Sequence, residues 1–504
     1  MRCATAMISG LLILLPAPAW GLQLWVDRDS LGGPCDDGRT PGEVAEATPW
    51  CTLGAAGHQV APGDVVTVRE GHYTEIQTCL LCNDNSVLQV TVSGEANGWI
   101  RFETAPGEVV TVSGDGGATH GIQVIETYDG SVQPRFIDIS GFVVRDVPNN
   151  CVSVKDTGDV VLWGLETFGC QGGAVELHRT ARVTLAQSDI HDNHMNGWTS
   201  AVDLFLCLDG NVVSGNRIWA NFDDDPRDTE GHGITMDTCE DAGGALIENN
   251  VIWANEGWCM AIYQSDGATI HNNTCYQNGL RAPSGEISIL GDHHAVHNNL
   301  LVPRDGAVAL NIRERGDYPV DFGTITADHN LLWAPTHDVV AGWGDGNRGT
   351  LSEYQAANPG GWGGNSLQAD PQLADPAGQD YALTAGSPAI DSGDDTRAPA
   401  HDILGGIRPW DGDGDTIAVS DLGAYEYLAD VDPSWDAGTR PDAGVGPDST
   451  TGPGPDGSTH GDDENGDGCS CRATPSAPSL GLWLGLALGL LLRRGRRRRP
   501  PPSQ

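Results

Sequence analysis

The sequence predicts an all-β solenoid, a chain wound into stacked parallel coils, and three observations lead there. The first is an Asn that recurs in register within short apolar stretches. It is Asn216 in SGNRIWAN, Asn250 in IENNVIWAN, Asn273 in IHNNTCYQN, Asn299 in VHNNLLVP and Asn330 in DHNLLWAP. A second Asn follows the first three after five residues, as Asn221, Asn255 and Asn278, and Ser188 and Asn193 fit the same frame one unit earlier. The second observation is the step between units, which runs 28, 34, 23, 26 and 31 residues. Fixed internal grammar with drifting length is the mark of coils that carry loops of different size. The third is composition: 68 Gly and 6% aromatic residues suit short strands and tight turns. Stacking sets each Asn over its copy, so one side-chain amide can bond the next.

Residues 1–21 read as a secretory signal, with Arg2, the apolar run ISGLLILL and the small-residue exit PAPAWG; an uncleaved anchor is the alternative. Residues 22–99 hold an N-terminal cap and the first coils, where Val65–Arg69 alternates as a strand between PGD and EGH turns. Residues 100–345 carry the coils, and ISGFVVRD and VVLWGLETFG read as earlier copies with Gly in place of Asn. Residues 346–427 change character and are expected to close the far end, because an open coil exposes core and unpaired edges. Residues 428–468, rich in Asp, Gly, Pro, Ser and Thr, read as a disordered stalk. Residues 469–504 bring Cys469 and Cys471, one short apolar segment and an Arg cluster. That segment, about 16 residues, is short for a membrane span but workable with flanking adjustment, and the Arg block puts its end in the cytoplasm.

The formal charge is −42. The two ends carry eight Arg and no acid, so the chain between them sits near about −50. Such a surface repels nucleic acid, and a polyanionic ligand would need bridging cations such as Ca²⁺; solubility alone is the plain alternative. Thirteen Cys with an export signal predict disulfides, for which Cys35–Cys51, Cys151–Cys170 and Cys239–Cys259 are plausible pairs, though spacing does not fix connectivity.

Strand alternation assigns side chains to faces. In GHGITMD, Ile234 and Met236 point in while Thr235 and Asp237 point out; in WCMAIY, Met260 and Ile262 point in while Ala261 and Tyr263 point out. With CVSVKD, AVELH and AVDLF added, two outward columns emerge. One holds Ser153, Glu176, Asp203, Thr235, Ala261 and Ser288; the other holds Lys155, His178, Phe205, Asp237, Tyr263 and Leu290. Acids with a His, a Tyr and a Phe suit sugar binding and acid–base work. Candidate catalytic residues are therefore Asp237, His232, Glu176, Asp203, His178 and Lys155. Tyr263, Trp258, Thr235, Phe205 and Arg227 are candidate substrate contacts. The loop at the 34-residue step, FDDDPRDTEGH, crowds acids that need a cation to stay ionised together, so Asp224, Asp225 and Asp228 are candidate Ca²⁺ ligands, against a merely solvated loop. In DGDGDTIAVSD, Asp411, Asp413 and Asp415 alternate like a calcium loop, although Leu422 sits where a twelfth-position carboxylate belongs.

The stretch EGHGITMDTC…GALIENNVIWANEGWCMAIYQSDGATIHNNTCYQNG resembles the secreted right-handed parallel β-helix family related to pectate lyases. That resemblance implies a right-handed β-helix over most of residues 22–427 and action on acidic polysaccharide, with Asp-held Ca²⁺ and a Lys or Arg base. Lys155 would be the only lysine for that role, with Arg217 and Arg227 nearer the Asp loop. The motif Gly231-His232-Gly233, with acids just upstream, is similar to one of polygalacturonases, but there the paired Asp normally lies a coil earlier and here no Arg-x-Lys follows, which favours turn chemistry. SPAIDSGDD, DILGGIRPWDGDGD and DLGAYEY resemble the C-terminal module of anchored bacterial β-helix proteins, the choice-of-anchor type. The stalk, Cys pair, short span and Arg cluster resemble the myxobacterial C-terminal sorting tail (MYXO-CTERM), which implies processing near Cys469 and Cys471 and delivery to the cell surface. The expectation is a surface-displayed monomer that binds polysaccharide or cell-surface glycan and is a candidate Ca²⁺-assisted lyase or hydrolase, has no nucleic-acid partner, and meets a membrane through its tail. A non-catalytic, adhesin-type glycan binder is the alternative.

Overall fold

A computed structural model describes residues 21–428 apart from 29–33, 84, 226–229, 240–243, 282–283, 317, 335–340, 344–346 and 358–362. The signal, stalk and tail, Cys469 and Cys471 included, lie outside the described residues, as do Arg227 and Asp228. Among the described residues no helix is long and apolar enough to cross a membrane.

The chain winds as a parallel β-helix. Each coil lays one strand in each of three sheets of 11, 10 and 11 strands, and every strand pairs with its counterpart one coil away. One coil runs Ala245–Glu248, Val251–Trp253 and Met260–Tyr263, in the first, second and third sheets. The final two strands of the third sheet, Ala341–Trp343 and Asn347–Gly349, turn antiparallel. Inward side chains form one continuous apolar core, in which Val202, Leu204, Ile234, Met236, Met260 and Ile262 are fully buried. The helix Leu53–Gln59, capped by Thr52 accepting from the Ala55 N–H, buries Leu53, Ala55 and Ala56 in that core at the N-terminal end. Leu351 and Tyr354 of the helix Leu351–Ala357 join it from the other end.

Two buried amide ladders run along the coil corners. In the first, the side-chain N–H of Asn216, Asn250, Asn273 and Asn299 each donates to the Oδ1 of the Asn one coil on, at 2.9–3.0 Å. The same oxygens accept the backbone N–H of the preceding Asn. Each second amide hydrogen goes to a carbonyl of the coil before, such as Val213 O or Ile247 O. An amide is both donor and acceptor, so identical copies satisfy one another, which no carboxylate could do. The second ladder links Asn193, Asn221, Asn255 and Asn278. It ends on Glu286, whose two oxygens accept the Asn278 N–H and Nδ2–H. Burial pushes the Glu286 carboxyl up to about 8 despite those donors.

Three expectations are corrected. The Gly of ISGFVVRD and VVLWGLETFG does not replace the ladder Asn. Gly141 and Gly164 take the left-handed bend before it (φ 83° and 58°), and buried Phe142 and Leu165 take the ladder position. The alignment is set by the bend, which needs a residue tolerant of positive φ. Cys239 pairs with Cys207 and Cys259 with Cys275, because Cys207 and Cys239 occupy one position in adjacent coils; Cys35–Cys51 and Cys151–Cys170 form as expected, and Cys79–Cys82 is a fifth bridge. Finally, only the first part of residues 346–427 covers the end, where Leu351 and Tyr354 enter the core and Leu367 pairs with Leu331; the remainder lies along the flank. It is held by the first Asn of each doublet in IENN, IHNN and VHNN: Asn249 to His401 O, Asn272 to Asp421 O, and Asn298 to both backbone groups of Asp394. Leu300, Leu331, Leu383 and Leu422 pack together beneath it.

Candidate active site

The third sheet fixes the outward columns. Ser153 pairs with Glu176, Glu176 with Asp203, Asp203 with Thr235, and Thr235 with Ala261. Beside them run Lys155, His178, Phe205, Asp237 and Tyr263 in the same order. The first column is not open to solvent along its length. Ser153, Thr235, Ala261 and Ser288 are buried. Ser200 Oγ lies 2.7 Å from Thr235 Oγ1, within hydrogen-bond distance, and the Ser200 N–H reaches both Asp203 oxygens at 3.0 Å.

The acids of this strip have divergent environments. Burial drives the Asp203 carboxyl well above the ordinary range, and Glu176, Glu230 and Asp237 add to the rise. Burial also raises Asp237; Thr238 Oγ1 opposes this by donating to Oδ1 at 2.7 Å, and nearby Glu230 reinforces it. Glu230 goes the other way. Burial would raise it, but the hydrogen bond from His232, with Arg313 behind, holds it below its ordinary value. His232 is locked for this: its Nδ1 accepts the Trp258 N–H at 2.9 Å, so the proton sits on Nε2, 3.2 Å from Glu230 Oε2. A Cβ on Gly257 would lie 2.0 Å from that Nδ1, which is why the turn under the ring carries glycine. Gly231, at φ 71°, makes the turn of the GHG motif.

The remaining candidates take lesser places. Glu176 accepts from Ser153 Oγ at 2.7 Å and lies 3.8 Å from His178 Nδ1. Burial, then Lys155, lowers the His178 pKa, and its ring meets Phe205 edge-on at 5.0 Å. Lys155 stands three coil steps from Asp237, about 14 Å by strand spacing. Arg217 faces elsewhere: it is on the second sheet, over Trp219 and Trp253. In the Asp loop, Asp224 is exposed beside His194, at 3.3 Å, and Asp225 is buried. Among the described residues no third ligand joins those two within 4.8 Å, so the proposed loop site is not assembled there. In the C-terminal segment Asp411 and Asp413 do meet, with Asp391 as third carboxylate and Asp415 outside the group. Asp391 accepts the Asp413 N–H, Asp411 that of Gly414, and Asp413 that of Asp415.

Sequence reasoning missed Glu230, Arg313 and Arg315. Arg315 Nη1 donates to Tyr263 Oη, and both guanidinium groups lie 5.9 Å from the Tyr263 ring centre. The third-sheet register pairs Ile289 with Ile312, so one more coil added to the second column reaches Arg313. Glu230 comes from a turn, where alternation gives no signal. A concavity of about 460 Å³ lies away from the strip, at Asp27, Arg69, His72 and Glu108. Its Arg69 is already tied to Glu108 and Glu46.

A profile of the right-handed β-helix region matches residues 120–301. No curated protein matches the sequence. Solved structures with similar coils include pectate lyase Pel9A, at 15% identity and TM-score 0.46, over 81% of this chain and 96% of that one. XylC in complex with xylose matches at 11% identity and TM-score 0.47, over 81% and 98%. A rhamnogalacturonan lyase matches at 12% and 0.39, over 66% and 84%. At these identities the likeness concerns the fold alone.

Proposed function

We propose that the third-sheet strip binds a polysaccharide and cleaves it by acid–base catalysis, with Asp237 as proton donor and Glu230 as base. The observation that carries this is the pair of opposed shifts: one carboxyl raised by burial, its neighbour held down by His232 and Arg313. Burial favours a proton on Asp237, while His232 and Arg313 favour its absence from Glu230, which is the bias a proton donor and a proton acceptor need. Phe205, exposed at 37%, and Tyr263 offer rings for a sugar along the second column. Arg313 and Arg315 would meet a uronate carboxylate at the strip although the chain as a whole is strongly acidic. The Arg315–Tyr263 contact favours a second reading, β-elimination with Tyr263 as base. An all-oxygen group such as Asp391, Asp411 and Asp413 fits Ca²⁺ and would brace the C-terminal segment. Display at the cell surface through the tail is part of the same proposal.

The test is a glycan panel incubated with purified protein, with and without Ca²⁺, read for reducing ends and for the ultraviolet absorbance of unsaturated sugars. Reducing ends alone select hydrolysis, and absorbance selects elimination. Binding without product would leave a glycan-binding surface protein.

A further inference from the structure

A second constellation lies where the C-terminal segment crosses the last coils, away from the strip. His297 ends the first-sheet strand Ala295–His297, and His329 sits at the left-handed bend of the next coil, at φ 50°. Asp394 arrives from the C-terminal segment. Its position is imposed by Asn298, which accepts its N–H at 2.8 Å and donates to its carbonyl at 3.0 Å. One ligand atom from each of His297, His329 and Asp394 lies within 4.8 Å of the other two.

The ring nitrogens are what make this more than a cluster. His297 is 5% exposed; its Nε2 meets Thr326 Oγ1 at 3.0 Å, and its buried Nδ1 has no hydrogen-bond partner. The His329 Nδ1 is likewise buried without one, and its nearest acid, Asp328, stands 3.7 Å off. Leaving buried polar atoms unmade is costly, and two in one place call for an occupant. The Asp394 carboxylate is oriented as ligating carboxylates are. Oδ1 accepts the Thr396 N–H and hydroxyl at 3.0 and 2.6 Å, and Arg397 Nε lies 3.4 Å from Oδ2.

We propose that His297, His329 and Asp394 bind one divalent transition-metal ion of the zinc type, which staples the C-terminal segment to the coils. Two imidazoles and a carboxylate suit zinc, whereas Ca²⁺ takes oxygen ligands. Tetrahedral zinc at bonds of about 2.1 Å spaces its ligands about 3.4 Å apart, which side-chain rotation can reach from this arrangement. Water fills the fourth position. The site is independent of the polysaccharide reading.

The test uses the full chain, stripped with chelator and dialysed, then titrated with zinc chloride by calorimetry. One zinc per chain is expected at a Kd of about 1 µM or below. Cobalt at the same site should show visible absorption, and calcium chloride should not displace either metal. His329→Asn, which keeps a residue tolerant of the left-handed bend, and Asp394→Asn should each weaken zinc binding at least about tenfold. Their circular dichroism in chelator should match the parent. Should one variant misfold, the other decides. No uptake tighter than about 100 µM, or equal uptake by a folded variant, would overturn the proposal.

Discussion

The inward ladder and the outward strip are built on the same coils at the same spacing, and they follow opposite rules. Along the ladder the residue repeats, because an amide bonds its own copy: Asn250, Asn273 and Asn299 are interchangeable in role. Along the strip every coil differs. Where two acids do stack in one column, Glu176 beside Asp203, burial drives the latter far up and the neighbouring charge adds to the rise. Repetition therefore marks stability in this molecule, and departure from repetition marks chemistry. Glu286 shows the rule at its limit, a single carboxyl admitted into a ladder only as its terminal acceptor.

The contrast can be broken from either side. On the strip, Asp237→Asn and Glu230→Gln should each lower cleavage by about 10² or more, the usual weight of a general acid or base, while thermal melting stays near the parent. On the ladder the reverse holds. Asn273→Leu strips Asn250 of the oxygen that accepts its N–H and Nδ2–H. The loss should be about 2–4 kcal/mol in denaturant unfolding, with faster amide exchange in the flanking coils and a normal rate for the protein that remains folded.

A smaller effect is expected at the ladder end. The folded pKa of Glu286 lies above its ordinary 4.5, so its contribution is complete below that value and is lost as pH rises through about 8. Stability should fall across that window by at most about 1.4 kcal/mol per pH unit, and Glu286→Gln should flatten the slope. Least of all, Phe205→Ala should change unfolding by under about 0.5 kcal/mol, as exposed substitutions do, yet weaken glycan retention in affinity electrophoresis.

The same contrast governs what could be read from the chain. The coils and the Asn registers were legible because the ladder must repeat, and the outward columns followed from alternation once Asn set the frame. The doubled Asn carries two roles that alternation does not separate: in IENN, IHNN and VHNN one amide serves the ladder and the other, on the bend, holds the C-terminal segment. Glu230 was illegible because turns have no period. Arg313 was within reach by one further coil. Cysteine spacing misled at one place, where Cys239 pairs with Cys207, its counterpart in the adjacent coil at 32 residues, and not with Cys259.

The most direct measurement of the central claim is the pH–rate profile of glycan cleavage by the parent, Asp237→Asn and Glu230→Gln. Burial favours the proton on Asp237, and His232 with Arg313 favours the bare carboxylate on Glu230, so the proposed roles require activity on the acid side. The account predicts an acidic, bell-shaped optimum for the parent, loss of the alkaline limb's control in Asp237→Asn and of the acid limb's in Glu230→Gln. Cleavage that persists in both variants with an unchanged profile, or no product from any glycan by folded parent protein, would contradict it.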